Sequence, residues 1–460
     1  MTSNKKMIFR CVGVCLFLIF ILLGSFKYAE YSNRSKAVIN IYCWDESFRD
    51  VLANYYPAYD KEHECIGNVK VHWVIMPRID GVYQSTLDKA LSERKEVTAG
   101  EQIDLFLLEA DYVRKYTESA EVTESLDELG LQEQELQQQY AYTRRAAEDS
   151  SGVQRGISYQ ACPGVMIYRR DIARKVFGTD DPDRIQELVR DWPAFEYASD
   201  RIRASGYHML AGYFDTYRVF FFFLQASWVN EKKEIVLPAE MKEWCEQTRR
   251  FSEQGKNYPN DFWDTAWKAG TRGDVFCYFG TAWFIQQALQ KFSLQVPVAE
   301  GGLEQKGNGT FGQWAVCQGP QRYYWGGSWI CAAKGTKHKD LIADIMRKLC
   351  CEPDTARKIA RGSTEFMNNR KVMQEIAQDA SFGIPFLDGQ NVYTVMAREM
   401  EMETIRADMI TPYDQGIHES FKAACKGYFR GSATADAAWQ RFLATLWMRY
   451  PELQNASLVR

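Results

Sequence analysis

The 460 residues carry 60 Asp/Glu against 56 Lys/Arg, a formal net charge of −4, and 46% of them are hydrophobic and 14% aromatic. A chain of this length and apolarity builds more than one lobe, because single cores stop growing near about 250–300 residues. The acidic balance and the lack of a basic stripe exclude nucleic acid as a partner, and exclude a broad electrostatic contact with a membrane surface.

The opening segment has the layout of an export signal or membrane anchor. Lys5, Lys6 and Arg10 precede the uncharged run Cys11–Phe26, and Lys27 closes it. At about 1.5 Å per residue this run spans roughly 24 Å as a helix, between a cleaved signal core and a comfortable membrane span. Gly24-Ser25-Phe26-Lys27 makes a poor cleavage site, and neither Cys11 nor Cys15 fits a lipoprotein box. Residues 1–36 are therefore read as an uncleaved signal/anchor segment, with a removed signal peptide as the alternative. The first 36 residues carry about +5 and the remainder about −9. That remainder is expected at the extracellular face of the membrane, or secreted or periplasmic if the segment is removed.

Beyond the anchor, apolar runs alternate with helical patterns. Ala37–Trp44 is a β-branched strand, and Phe48–Tyr59 reads as a helix with apolar residues at 48, 51, 52, 55 and 56. Val69–Ile75 alternates as a strand, Val82–Arg94 is helical, and Ile103–Leu108 is a third, buried strand. Strand, helix, strand, helix and strand in succession indicate an α/β lobe with mainly parallel strands. The acid-rich stretch Glu118–Gln139 reads as a polar, solvated helical element. Gly156–Tyr168 mixes Gly and Pro with apolar residues and reads as a crossing between lobes.

A helical region follows over 184–255, broken near Gly206 and Gly212 and carrying the aromatic cluster Tyr217–Phe223. A second glycine-rich strand region, Gly312–Ala333, leads into an amphipathic helix with Leu341, Ile342, Ile345, Met346 and Leu349 on one face. Helices over 392–406, 416–429 and 434–449 end the chain.

No nucleophile elbow, phosphate-binding loop or zinc-protease motif is present. Ten cysteines lie beyond the apolar run, none in a CxxC pair, and the five His form no ligand cluster, so neither a metal nor a cofactor is expected. The cysteines read mainly as buried thiols, with one or two disulfides as the alternative. What the sequence does offer is aromatic residues at loop edges beside glycines and acids. Sugars present C–H faces that pack on aromatic rings, and hydroxyls that pair with carboxylates and amides. Trp44-Asp45 ends the first strand, Asp111-Tyr112 follows the third, and Trp283 sits in Phe279-Gly280-Thr281-Ala282-Trp283. Trp325 precedes Gly326-Gly327-Ser328, and Tyr413-Asp414 opens the last helical pair. Each also has a structural reading: a lone aromatic is often packing, and an Asp after a strand is often a helix cap.

In this order the segments IYCWDESF, GEQIDLFLLEADYVRKY, GISYQACPGVMIYRRDI, TRGDVFCYFGTAWF, YYWGGSWICAAKGTKHKDLIADIM and PYDQGIHESFKAACKGYFRGSATADAAWQRF resemble the extracellular solute-binding proteins of ABC importers. The specific likeness is to the carbohydrate-binding, maltose-binding-protein-like group, family 1, over residues 38–450. The resemblance implies an α/β, two-lobed, periplasmic-binding-protein-like (type II) fold with interleaved lobes and a hinge. Residues 37–460 would form the solute-binding domain, with lobe one about 38–158 and 325–385, and lobe two about 163–320 and 390–450.

It implies a monomer that binds a mono- or oligosaccharide, performs no covalent chemistry and docks on a membrane permease. Trp44, Asp45 and Asp111 would bind from lobe one, and Trp283, Tyr413 or Asp414 from lobe two. Tyr159, Gln160 and Trp325 would lie on or beside the crossings. Asp45, Asp111 and Trp283 carry most weight. The same fold also admits a module presenting its ligand to a membrane sensor kinase, or a receptor for a non-sugar solute. A glycan-active enzyme is the reading from a different class, and turnover of a bound oligosaccharide would separate it.

Overall fold

The structure is a computed structural model that describes residues 37–78, 81–222, 224–400 and 409–453. The anchor or signal reading of residues 1–36 and the end of the helix expected over 392–406 lie outside the described residues. No helix among the described residues is long and apolar enough to cross a membrane. The chain forms two compact units: residues up to 106 with 335–338, and residues 107–334 with the chain from 339 onward.

The first unit is built as the alternating pattern predicts. Strand β1 (Ala37–Cys43) pairs in parallel with β4 (Val69–Ile75), and on its other side with β5 (Ile103–Glu109). Two short strands, β2 (Tyr59–Asp60) and β3 (Cys65–Ile66), extend the β4 edge antiparallel. Ile39 and Ile41 of β1 are fully buried, as are Phe48 and Leu52 of the helix Ser47–Tyr55 and Leu87 of the helix Val82–Ser92. The first helix stops at Tyr55, short of the expected Tyr59, because the chain turns there and Tyr59 enters β2.

A buried polar clasp holds β1 to β5 where their register shifts. The Asn40 backbone N–H donates to Asp104 (3.0 Å), and its side-chain amide donates to the carbonyls of Gly100 (3.0 Å) and Gln102 (2.9 Å). The Thr336 hydroxyl donates to the other oxygen of Asp104 at 2.7 Å. A buried carboxylate is tolerated here because donors satisfy both of its oxygens.

Strand β5 carries the chain into the second unit. There β7 (Val165–Arg169) lies between β8 (Cys277–Gly280) and β9 (Trp314–Cys317), antiparallel to both. Every residue of these three strands is buried. The two glycine-rich segments run side by side. Strand β6 (Ile157–Ser158) pairs antiparallel with β10 (Ser328–Ala332), and the pairing resumes at Pro163 and Tyr324. Gly164 is required at this approach, since a Cβ there would lie 2.1 Å from the Tyr323 ring. A third segment joins them: Ala161 N–H donates to the Phe366 carbonyl (2.9 Å), and Asn368 N–H donates to that of Tyr159 (2.8 Å).

The stretch 118–139 departs from expectation. Only Glu133–Leu136 is helical there, and Leu126, Leu129 and Leu131 are buried. Glu124 is 1% exposed and paired with Lys334 and Lys339. Its acids drew attention away from leucines that pin a series of turns to the core.

The C-terminal helices Asp414–Phe429 and Ala435–Arg449 pack together through aromatic residues. Phe421 meets Trp228 at 4.9 Å and Phe442 at 5.3 Å between ring centroids, and Phe429 meets Trp244 at 5.2 Å. Thr434 caps the second helix by accepting from Ala437 N–H. The ten described cysteines are free thiols, most of them buried.

Candidate functional site

The site begins with a short helix inside an aromatic run. Tyr217–Phe221 buries four of its five side chains: Tyr217 packs edge-on to Trp244 (4.9 Å), and Phe220 stacks on Trp192 (4.2 Å). That packing leaves Arg218 to face the loop after β5, where its guanidinium grips both carboxylate oxygens of Asp111. Only 12% of the Asp111 side chain and 15% of the Arg218 side chain is exposed. Burial pushes the Asp111 carboxyl up, but the guanidinium outweighs it and holds the acid well below the usual carboxylate range. The Arg218 guanidinium also lies over the rings of Phe222 (5.7 Å) and Trp325 (5.9 Å).

Trp325 links this pair to a chain of rings. Trp283 meets it at 4.9 Å and donates its indole N–H to the Trp325 carbonyl at 3.3 Å. Phe262 meets Trp325 at 5.5 Å, and Trp263 follows, packed against Trp267 (5.3 Å) and Phe284 (5.8 Å). Trp263 has φ +72° and keeps 37% of its surface exposed. A bulky side chain in the left-handed region is a strained outlier that only its surroundings can hold. Together Phe214, Asp215, Tyr217, Arg218, Phe262, Trp263, Phe279, Trp325 and Lys422 line a cavity of about 270 Å³. Small-molecule sites begin near about 300 Å³, so this one suits a compact ligand.

Several buried polar atoms next to Arg218 and Asp111 lack a hydrogen-bond partner among the described residues: Asp414 Oδ2, His418 Nε2 and the Tyr324 hydroxyl. His418 Nδ1 and the Tyr217 hydroxyl are 2.5 Å apart, and burial keeps this imidazole neutral by driving its pKa far down. The other Asp414 oxygen accepts from the Thr411 hydroxyl at 2.6 Å.

The residues singled out from sequence fall in different places. Asp111, Trp283 and Trp325 belong to one connected cluster, with Asp414 beside it. Gln160 is buried and donates to Glu365 (3.0 Å), which also accepts from Gln287 (3.3 Å). Tyr159 is 3% exposed, inside the core. Tyr413 packs edge-on to Tyr450 at 5.1 Å. In the first unit, Trp44 is half-buried, edge-on to Tyr83 (5.7 Å) and under Arg78 (5.3 Å). The Asp45 carboxylate is exposed and accepts from the Ser47 N–H (3.0 Å) and hydroxyl at the start of the helix. Sequence reasoning passed over Arg218, Lys422, Phe262 and Trp263. Arg218 left a signal, as the one charge within the aromatic run Tyr217–Phe221; Lys422 sits in an ordinary amphipathic pattern and left none.

Two predictions follow from the charges. Replacing Asp111 by Ala leaves Arg218 buried without its partner, so chemical denaturation of the unliganded variant should show a loss of about 3 kcal/mol. Because the Asp111 pKa is depressed, its stabilising effect is present above the ordinary value of 3.8 and fades as pH falls below it. An undiminished stability would show that the pair is dispensable. Asp215, Asp414 and Glu365 behave oppositely, since burial raises each to about 7 from ordinary values of 3.8, 3.8 and 4.5. Between roughly pH 4 and 7 the folded chain therefore binds protons that the unfolded chain has released, and stability falls as pH rises through that window. The unliganded protein should melt at a higher temperature at pH 5.5 than at pH 8, and Glu365→Gln should shrink the difference. A melting temperature that rises from pH 5.5 to 8 would contradict this.

Residues 79–383 match the family described as bacterial extracellular solute-binding protein. No curated protein matches the chain in sequence. Among solved structures, an extracellular solute-binding protein of family 1 superposes with a TM-score of 0.68 at 17% identity, over 91% of this chain and 100% of the other. The ABC-transporter-associated binding protein of B. animalis subsp. lactis, solved with β-1,6-galactobiose, gives 0.64 at 14% identity, covering 92% of this chain and 99% of its own. The sugar-binding protein MalE of Xanthomonas citri gives 0.62 at 13% identity, covering 92% and 100%. At such identities the likeness speaks for the fold, and the mixed α/β solute-binding fold expected from sequence is the one shared with these structures. The chain belongs to the bacterial extracellular solute-binding proteins, a family of binding proteins rather than enzymes.

Proposed function

We propose that the chain captures a carbohydrate and delivers it to the permease of an ABC importer, tethered at the outer face of the membrane by residues 1–36. The observation that carries this reading is the cavity wall: six of its nine lining residues are aromatic, and Trp263 is held in a strained, part-exposed conformation beside Arg218 and Lys422. Rings of this kind accept the C–H face of a sugar, while the charged groups beside them take its hydroxyls. Structures of the same fold hold β-1,6-galactobiose, lacto-N-biose and maltose. On the lobe assignment drawn from the resemblance, Trp325 stands in lobe one, and Arg218, Phe262, Trp263 and Lys422 in lobe two. Closing two lobes over a ligand creates the surface a permease reads, so binding and docking are coupled by contacts that exist only in the closed state. In this scheme Trp283 braces Trp325.

A thermal-shift screen of the protein against mono- and oligosaccharides tests the reading. A ligand at 100 times its dissociation constant should stabilise the fold by about 2.7 kcal/mol. Recovery of the bound sugar unmodified would support a receptor, whereas turnover, or silence across the panel, would overturn the proposal. Trp263→Ala should weaken sugar binding by about 1–3 kcal/mol in calorimetric titration. Unchanged affinity in the folded variant would remove Trp263 from the ligand contact.

A further inference from the structure

The ionisable groups on the cavity wall are unevenly matched. Three such side chains line it beside Tyr217: Arg218, Lys422 and Asp215. Both oxygens of Asp215 are already engaged, one by the Trp267 indole N–H at 2.7 Å and one by the Gly212 N–H at 2.9 Å, and this carboxyl is 4% exposed. Burial raises its pKa to about 7, so near neutrality it holds its proton about half the time.

Arg218 is engaged by Asp111 on one side of its fork. Lys422 is different. It stands one helical turn after His418 on the helix Asp414–Phe429, half-buried at the cavity wall, with its ammonium 5.2 Å from the centre of the Tyr217 ring. No carboxylate among the described residues pairs with it, and the nearby Glu419 is engaged by Arg449 and Gln415. Burial first, and the like charge of Arg218 second, lower its pKa to about 8. The acids that face this corner are Asp111, Glu109 and Asp414. Asp111 serves Arg218, Glu109 lies against the Asp111 backbone N–H (3.4 Å), and Asp414 is raised to about 7 by burial and so largely uncharged at mildly acid pH.

A half-buried amine with no carboxylate paired to it among the described residues, beside a guanidinium in a mainly aromatic wall, is a poor host for a neutral solute alone. Charge-assisted hydrogen bonds to such donors are roughly twice as strong as neutral ones, and they gain most where water is excluded. We propose that the solute taken by this cavity is an anionic saccharide, whose carboxylate or phosphate is seated by Lys422 and the free edge of Arg218 while its sugar ring packs on Trp263 and Trp325. This inference rests on the reading of the cavity as a sugar site.

The test is calorimetric titration of the full chain with D-glucuronate, its methyl ester, D-glucose and D-glucose 6-phosphate at low and high sodium chloride. The acidic sugars should bind at least ten-fold more tightly than glucose and the ester, and the advantage should shrink in high salt. Lys422→Met should lower glucuronate affinity at least ten-fold, and by a larger factor than it lowers glucose affinity, and Lys422→Arg should retain most of the glucuronate affinity. Preference for glucuronate over the phosphate, or the reverse, identifies which acid the site takes. Should glucose or the ester bind as tightly as the acids, the charge inference fails while the sugar receptor stands. Should no saccharide bind, charged or neutral, both readings fall together. The ester comparison uses the unaltered protein, so it decides the matter even if a Lys422 variant does not fold.

Discussion

The ion pair between Asp111 and Arg218 is the constraint around which the second unit is organised. Two charges removed from water are costly, and only close, bidentate geometry with further stabilisation offsets that cost. A guanidinium suits the position because its planar fork matches a carboxylate and its faces stack on aromatic rings, as on Phe222 and Trp325 here. A lysine would supply charge but neither the fork nor the plane. The pair ties the loop after β5 to the aromatic helix Tyr217–Phe221, and through Trp325 to the second glycine-rich segment.

Around this pair the chain keeps groups that folding alone does not require. Trp263 sits at a positive φ with part of its surface exposed, and Asp414, His418 and Tyr324 each bury a polar atom without a partner among the described residues. Strain and unsatisfied polar atoms reduce stability, and they persist where the surrounding packing over-determines them. Here the surrounding packing is dense: Trp228 and Trp244 are fully buried and pack on Phe421 and Tyr217 of the helices that carry Lys422 and Arg218. On the proposed reading of the cavity, such a stiff aromatic frame orders the contacts beforehand, so a ligand loses little freedom in making them.

Most of the first unit was legible from sequence. Its strands and helices are set by local alternation of apolar residues, and Val69–Ile75 and Ile103–Glu109 begin where the pattern begins. The misreadings have physical causes. Glu118–Gln139 looked like a solvated helix because its acids outnumber its leucines, yet Leu126, Leu129 and Leu131 hold it to the core. The helix from Ser47 ends early because the apolar residues Tyr56 and Tyr59 serve a turn and a strand edge, which periodicity does not distinguish from helix. For the site, aromatic-acid pairs at loop edges pointed to Asp111, Trp283 and Trp325, which the fold does bring together. The same rule pointed to Asp45, whose carboxylate caps its own turn, while Tyr159, named only through the family resemblance, is core.

The sequence by itself determined the order of strands and helices, the glycine-rich strand segments and the aromatic character of the loops, because each depends on residues close together along the chain. Only the tertiary structure decided which of those aromatics share a wall, that Asp111 is spent on Arg218, and that Lys422 stands at the cavity without a carboxylate paired to it among the described residues. A charge's meaning depends on what faces it across space. For Asp111, Arg218, Trp325 and Lys422 those neighbours come from four separate stretches of chain that meet only when the unit is packed.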